Sequence, residues 1–409
     1  MTTTEKQPQP AGGETKVPAA AYRNLVMATL GFAVNFWAWN LIGPLGPTFG
    51  KDLHLSSSTQ ALLVAVPVLV GAAGRVPVGA LTDKLGAKLM FPLVSFLTII
   101  PVLLLIPAKN SLPALLAVGF FLGLGGTSFA IGVPLVNSWF PPARRGAAIG
   151  IFGMGMGGTA LSAYFTPRLM KSHGMNFPFL LVAALLAAYG LLALVLVSDK
   201  PGRAIPTRPL VSRLAEAGRL RVTWELSALY AVGFGGIVAF GVYLPTYLKD
   251  AYHLTQTEAG TKAAGFAVLA VIFRPLGGWL SDRIHPAIVA AVSFFVVAGF
   301  AIVQSFDPGL YPVGTIALLG MAGALGASAG AVFALVAQVT PQAQVGSVTG
   351  IVGAIGGLGG FLPPLVMGAV YGAKHSYSIG LMLLSDLALA AMVYAAVRMR
   401  RTGAAKPVT

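Results

Sequence analysis

Twelve long apolar runs dominate the chain and constrain its fold more strongly than any other feature. A helix needs about 20 apolar residues to cross a bilayer, and each run is long enough. Mean hydropathy over the whole chain is +0.80. The pattern predicts an all-α membrane protein with twelve transmembrane helices. The predicted spans lie at roughly residues 24–47, 58–82, 87–107, 112–139, 145–167, 176–198, 224–247, 258–281, 286–305, 311–339, 345–372 and 377–397.

The composition excludes most soluble protein classes. Only 10% of the residues are charged and 56% are hydrophobic, whereas about 25% of a soluble globular protein is charged. So little charge excludes a soluble enzyme, a disordered chain and a nucleic-acid-binding domain. The chain has no cysteine, which excludes disulfides, zinc–thiolate sites, iron–sulfur clusters and thiol catalysis.

Polar segments divide the spans into two groups of six. Residues 1–20 lack the apolar core of a signal peptide and are predicted to be a disordered cytoplasmic N-terminus. The longest internal polar stretch, 199–223, is predicted to be a cytoplasmic linker. It separates a six-helix bundle at 21–198 from a second at 224–398, and 399–409 form a cytoplasmic tail. Residues 209–221 fit a basic amphipathic helix lying on the membrane surface.

The net charge of +15 at pH 7 indicates membrane orientation rather than nucleic-acid binding. With the N-terminus in the cytoplasm, eighteen of the 27 lysines and arginines fall on the cytoplasmic side and seven fall outside. Because basic residues concentrate in cytoplasmic loops, we expect a multi-pass protein of the cytoplasmic (inner) membrane with both termini in the cytoplasm. The remaining two basic residues, Arg75 and Arg274, lie within predicted spans.

The two halves of the chain repeat each other at an offset of roughly 200 residues. Four segments recur in the same order: 51–56 as 249–255, 79–84 as 278–283, 140–141 as 340–341, and the glycines at 146, 150, 153 and 157 as those at 346, 350, 353 and 357. Six spans is an even number, so the second half has the topology of the first. In transporters with such a parallel repeat, the substrate site lies near the membrane midplane between the halves. Transport occurs as the two halves rock against each other around that site.

Two arginines are predicted to lie in the middle of the membrane. Arg75 precedes Asp83 by eight residues and Arg274 precedes Asp282 by eight, which is about 12 Å of helix. A buried arginine costs at least about 2.5–3.5 kcal/mol and cannot lose its proton. Asp386 is the one carboxylate deep in a predicted span. The excess positive charge favours an anion, and the planar guanidinium fork suits an oxyanion. Alternatively, each arginine bonds helix carbonyls or Asp386.

Glycines line the fifth and eleventh spans. We expect Gly153, Gly157, Gly353 and Gly357 to leave room for a small substrate against bare backbone. Tight helix packing alone also explains such spacing. The GxGxxG pattern invites a nucleotide-binding interpretation, but no strand precedes it and no soluble domain is present to hold a nucleotide.

Aromatic side chains are expected at the depth of the arginines. Tyr230 and Phe234 lie one helical turn apart in the seventh span, and Phe32 and Phe36 occupy the corresponding positions in the first. Phe129 follows the glycines of the fourth span. A tyrosine hydroxyl can donate a hydrogen bond, and phenyl rings can enclose a weakly hydrated anion from both sides. Alternatively, these aromatic side chains only pack in the core or against lipid. This alternative suits Tyr230 least, because its hydroxyl group needs a hydrogen-bond partner.

Gating and proton transfer each have candidates. Asp83 and Asp282 end matching helices and are predicted to close the cytoplasmic face by pairing with Arg144 or Arg145. All five histidines lie at helix ends or in loops, so Asp386 is the single embedded candidate for proton coupling, although a role in helix pairing or in balancing the arginines suits it better. Anion exchange needs no protonatable residue. Without an anion the two buried arginines repel, so exchange is expected to be faster than net uniport.

The sequence resembles the major facilitator superfamily and, within it, the nitrate/nitrite porter family. The stretch GALTDKLGAK at 79–88 is similar to the superfamily's loop motif between helices 2 and 3, with a weaker copy at 278–283. The arginine-bearing stretches 74–79 and 273–283 look like those of the nitrate/nitrite porters, as do the glycine-rich fifth and eleventh spans. The resemblance covers the whole chain.

This resemblance implies the roles of five residues. In the family two arginines clamp nitrate or nitrite between the halves, a tyrosine and a phenylalanine one turn later on helix 7 contact the anion, and so does a phenylalanine on helix 4. The matching positions are Arg75, Arg274, Tyr230, Phe234 and Phe129. The chain departs from better-known members at 152–157, where FGMGMG lacks the asparagine of the helix 5 signature.

The function expected is secondary active transport of nitrate, nitrite or both by alternating access, through exchange or proton-coupled uptake. A carrier of another small anion, such as a monocarboxylate, oxalate or cyanate, is the main alternative. An oxalate-type carrier would need a second cation on the eleventh span, where none is found. A receptor would need an output domain, and the linker and short tail are too small to form one. A membrane enzyme would need embedded histidines, cysteines or paired carboxylates, which the predicted spans lack. We expect a monomer in the lipid bilayer, with no cofactor, metal or nucleic acid.

Overall fold

A computed structural model describes residues 17–203, 209–341 and 344–400. Most of the predicted disordered segment 1–20, the linker's Arg208 and most of the predicted tail 399–409 lie outside these ranges. Each predicted span coincides with one helix, which confirms the all-α, twelve-helix prediction. The spanning helices are α1 Ala19–Asp52, α2 Ser57–Leu85, α3 Ala87–Ala108, α4 Leu112–Trp139, α5 Ala147–His173, α6 Phe177–Leu196, α7 Arg221–Tyr252, α8 Gln256–Ser281, α9 Pro286–Ser305, α10 Leu310–Val339, α11 Val345–Lys374 and α12 Ser378–Met399.

The repeat is visible in how equivalent helices begin. The loops before α2 and α8 each contain a histidine in the left-handed conformation, His54 and His253, both with φ of 52°. Ser56 and Thr255 then cap the two helices by accepting a backbone N–H one turn ahead. In α8 the cap is a full capping box, because Glu258 also accepts from the Thr255 amide. Equivalent residues therefore perform the same local task in the two halves.

The start of α1, the end of α12 and the linker after α6 all lie at one end of the helix bundle, which we call the linker face. The opposite end is the far face. Across the far face, Gln256 of α8 donates to the Pro44 carbonyl of α1 and accepts from the Thr48 hydroxyl, both at 2.6 Å. Gln60 of α2 donates to the Thr246 hydroxyl of α7 at 3.3 Å. Neutral hydrogen bonds therefore join the two halves at this face.

The first residues of the linker are held against the N-terminal half at the linker face. The Asp199 carboxylate accepts from the Ala87 amide at 2.8 Å and so caps α3. Arg203 donates to carbonyls at the end of α2. A linker helix, Leu210–Arg219, forms within the predicted 209–221, and its Arg213 pairs with the Asp83 carboxylate at 3.1 Å. The predicted linker helix exists, and it packs on α7 and on the first part of α11, both in the C-terminal half.

Several helices are irregular halfway through their length. α1 breaks between Trp39 and Ile42, and α11 breaks between Leu358 and Leu362. α4 and α5 each contain a 3-10 turn, Gly123–Thr127 and Met154–Gly157. Non-regular backbone at membrane depth occurs where it is buried in protein or lines a cavity. These turns therefore mark the level of the molecule at which a site between the halves is expected.

Candidate functional site

Arg75 lies at the interface between the two halves. It begins the second part of α2 and is only 7% exposed. Its Nε donates to the Gly71 carbonyl at 3.1 Å, and its Nη1 donates across the interface to the Gly353 carbonyl of α11 at 2.9 Å. An arginine has five N–H donors, so these two bonds fix the guanidinium and leave further donors for another ligand.

Arg274 of α8 approaches the same point from the other half. Its Nη2 donates to the hydroxyl of Tyr230 on α7 at 2.9 Å, and its Nη1 lies 3.9 Å from the Met156 sulfur. Tyr230 is completely buried. Because its oxygen accepts from Arg274, its own O–H is free to donate. The three groups therefore present several donors and, within the described ranges, no strong acceptor.

Two phenyl rings are shared by the two arginines. The Phe234 ring centroid lies 5.3 Å from the Arg75 guanidinium carbon and 5.4 Å from that of Arg274. The Phe129 centroid lies 5.2 Å and 5.8 Å from the same two atoms. Phe234 also stacks on Tyr230 with centroids 4.9 Å apart. The structure thus brings together Arg75, Arg274, Tyr230, Phe234 and Phe129, and aromatic faces partly offset the two charges.

The positive charge of this cluster has no carboxylate partner among the residues that the structure describes. Every ion pair found there involves other side chains. Asp386, considered as a counter-ion from the sequence, is exposed on the outer surface of α12 and faces away from the interface. The alternative that each arginine bonds helix carbonyls applies to Arg75, which donates to two of them. A carbonyl dipole, however, does not cancel a full positive charge. The cluster therefore retains two net positive charges.

Three of the four predicted glycines face free space. A Cβ built on Gly153, Gly157 or Gly353 meets no other atom within 4 Å. Gly153 and Gly353 are also buried, so the space beside them is internal. At Gly357, a Cβ would lie 2.8 Å from the Ala72 side chain and 3.5 Å from the Arg75 Nη1. Gly153 and Gly353 leave a small internal volume, and Gly357 lets α11 approach α2.

Phe32 and Phe36 form a second layer. Phe32 packs on Phe129 with centroids 5.6 Å apart, and Phe36 packs on Phe32 at 4.3 Å. In the described structure neither ring lies over an arginine. Sequence reasoning missed Phe333 of α10, whose centroid lies 5.6 Å from the Arg274 guanidinium and 4.7 Å from the Tyr230 ring. The repeat gave no signal for Phe333, because at the offset of 200 residues Phe129 corresponds to Ala329 and Phe333 corresponds to Val133.

The structure pairs Asp83 with a partner other than those predicted. Arg144 or Arg145 was expected, but Asp83 binds Arg213 of the linker helix through both Nη atoms. Arg144 is exposed, and Arg145 donates to the Phe140 carbonyl at 2.9 Å. Asp282 is exposed. No sequence pattern shows that the linker folds back onto the end of α2, so the pairing with Arg213 could not be predicted.

The residues between 28 and 364 match the family model of the Major Facilitator Superfamily. The chain belongs to that superfamily and, by its identity to the two curated relatives given next, to its nitrate/nitrite porter family. It is 48% identical over 380 residues to the probable nitrate/nitrite transporter NarK2 of Mycobacterium tuberculosis H37Rv, covering 92% of this chain and 96% of the relative. It is 37% identical to the nitrite extrusion protein of Bacillus subtilis, with 90% and 92% covered.

Solved structures share the fold at low sequence identity. A bacterial homolog of the human lysosomal transporter Spinster, in an inward-facing and unoccupied conformation, superposes with a TM-score of 0.73 at 19% identity, covering 96% of this chain and 98% of that one. The human organic anion transporter MFSD10 superposes with a TM-score of 0.71 at 15% identity, covering 92% and 100%. The protein is a multi-pass membrane transporter rather than an enzyme.

Two glycine substitutions on α11 should have opposite effects on stability. Gly357→Ala should lower the melting temperature in detergent, because the new methyl group overlaps Ala72 and overpacking costs about 1–3 kcal/mol. Gly353→Ala, one turn away, serves as the matched control and should melt at the wild-type temperature or above, because alanine favours a helix. An equal loss of stability in both variants would contradict the packing described for α11.

Proposed function

We propose that the protein transports nitrate, nitrite or both across the cytoplasmic membrane by alternating access. The observation that carries the proposal is the pair of guanidinium groups, from opposite halves, that share two phenyl rings and have no carboxylate partner in the described structure. The relatives named as a nitrate/nitrite transporter and a nitrite extrusion protein support nitrate or nitrite as the substrate. Both termini and the linker face lie in the cytoplasm in this proposal, consistent with the excess of basic residues there.

A small planar anion suits this site better than a larger substrate. The guanidinium fork binds an oxyanion through two parallel N–H···O bonds, and the Tyr230 hydroxyl supplies a further donor. Phe129 and Phe234 would cover the faces of a planar ion. The buried free space lies beside glycines, where even a methyl group is absent. We infer that the anion binds between Arg75 and Arg274.

The two faces of the protein differ in the polar contacts that hold them, and this difference supports alternating access. Neutral hydrogen bonds of Gln256 and Gln60 join the halves at the far face. On the linker face, the described ion pair Asp83–Arg213 joins α2 to the linker helix, which itself packs on α7 and α11 of the other half. We propose that this pair takes the gating role assigned to Asp83 and that the far-face bonds break when the carrier opens outward. One chain contains the whole site, so one chain is the transport unit.

Transport into liposomes tests the function directly. Labelled nitrate should enter vesicles preloaded with nitrite or nitrate when no pH gradient is present, because the empty site holds two repelling charges and resists closure. Empty vesicles with an inward proton gradient form the comparison. Uptake driven by the gradient alone would establish proton symport instead of exchange. No uptake in either set would reject nitrate and make cyanate or a monocarboxylate the next anion to try.

Each site arginine should be required for affinity. Arg75→Lys and Arg274→Lys should each weaken nitrate binding by about tenfold to a hundredfold, because an ammonium lacks the planar fork and charge-assisted bonds contribute about 1.5–3 kcal/mol. Binding is measured by calorimetry on purified protein. Arg221→Lys, at an exposed ion pair with Glu225, is the matched control and should bind normally. Normal affinity in either site variant would reject the two-arginine site.

Gln256→Ala should shift the carrier toward an outward-open state. The variant loses both cross-bundle bonds of Gln256, so far-face opening should increase about fivefold or more. Val242 packs against Gly43 inside this face. A cysteine that replaces Val242 reports opening of the far face, because a membrane-impermeant maleimide can label it only when the face is open. Gln304→Ala, a buried glutamine within one half, is the control. Equal labelling in both variants would contradict the gating role of Gln256.

A further inference from the structure

A thioether forms part of the lining of the proposed anion site. Met156 lies in the 3-10 turn Met154–Gly157 of α5, and its side chain is 2% exposed. Its sulfur lies 3.9 Å from the Nη1 atom of Arg274 on α8, so this contact crosses the interface between the halves. A thioether sulfur is a weak acceptor and has no donor. Met156 therefore contacts a charged group of the site without neutralising it and without offering an anion a hydrogen bond.

The internal repeat shows that this side chain belongs to one half only. At the offset of 200 residues, Met156 corresponds to Gly356 of α11. A Cβ built on Gly356 would collide with the ring of Tyr230, so Tyr230 takes the space that a side chain of α11 would need. The C-terminal half thus places a phenol hydroxyl beside Arg274, and the N-terminal half places a thioether beside the same guanidinium group.

The contacts of the two arginines are few in kind. Arg75 bonds two backbone carbonyls, and Arg274 bonds the Tyr230 hydroxyl. Within the described ranges, no amide or carboxylate side chain bonds either guanidinium group. Their other contacts are the rings of Phe129, Phe234 and Phe333 and the sulfur of Met156. An anion between the arginines therefore gains hydrogen bonds from three side chains and meets apolar surface at the rings and the thioether.

Apolar walls of this kind favour the anion that loses its water most easily. Nitrate spreads one negative charge over three oxygens, whereas nitrite spreads it over two, so each nitrite oxygen holds its water more strongly. Burying charge without replacing the lost hydrogen bonds is unfavourable, and this cost is larger for nitrite. The third oxygen of nitrate also finds room, because a Cβ built on Gly153, one turn before Met156, meets no other atom within 4 Å.

We propose that Met156 is a specificity-determining residue, because its thioether keeps one wall of the site apolar and so favours nitrate over nitrite. The inference rests on the proposed function and adds to it the preference between the two anions. Specificity is a difference of affinities. Arg75, Arg274 and Tyr230 donate to either anion, whereas Met156 replaces none of the water that either anion loses on its side of the site.

Replacement of Met156 by side chains of similar size tests this role. In Met156→Gln the amide carbonyl can accept from Arg274 while the amide N–H donates to the anion. The ratio of nitrate affinity to nitrite affinity should fall by about threefold to tenfold, because nitrite gains more than nitrate from an added charge-assisted hydrogen bond. Calorimetry on the purified full-length protein, with each anion in turn, measures the ratio. Met156→Leu is the matched apolar control and should keep the ratio within about twofold of wild type.

Both affinities are measured on the same variant, so a loss of folded protein affects the two anions equally and leaves the ratio unchanged. An unchanged ratio in Met156→Gln would overturn the inference. An equal fall in Met156→Gln and Met156→Leu would also overturn it, because packing rather than polarity would then set the preference. Wild-type protein that binds nitrite as tightly as nitrate would overturn the inference and leave the proposed function intact. Binding of neither anion to the wild type would reject both.

Discussion

Two permanent positive charges buried where the halves of the protein meet are the constraint on which the rest of the structure depends. Arg75 and Arg274 cannot discharge by losing a proton, and no described carboxylate neutralises them. Their environment compensates in part: helix carbonyls hold Arg75, the Tyr230 hydroxyl holds Arg274, and the rings of Phe129 and Phe234 lie against both. The remaining charge makes the site complementary to an anion.

The backbone around the arginines follows from this constraint. Gly353 supplies a carbonyl to Arg75 and has free space where a side chain would be, and Gly357 allows α11 to come within reach of α2. Soluble-helix propensity disfavours such glycine-rich helices, whereas lipid enforces helical hydrogen bonding. The protein therefore combines close helix approach with a small free volume at the same level.

The sequence predicted the twelve helices and their grouping into two repeats, because hydropathy and internal repetition determine these features directly. The convergence of the five site residues was implied by the resemblance to the nitrate/nitrite porters. It did not predict Phe333 or the Met156 contact with Arg274, since those depend on the rotation of α10 and on a 3-10 turn in α5. Nor did it predict the pairing of Asp83 with Arg213, which depends on the path of the linker. The outward direction of Asp386 is likewise a consequence of how α12 packs on α9, which no local pattern encodes.

In the proposed transport mechanism, uncompensated arginine charge binds the anion with no titrating partner. Calorimetric measurement of nitrate affinity between about pH 5 and pH 8 tests it most directly, because no arginine or tyrosine changes its charge in that range at its ordinary pKa. The nitrate affinity should stay constant across this pH range. An affinity that falls severalfold as the pH rises would contradict it, because a carboxyl group losing its proton, or a histidine losing its charge, would then share the site.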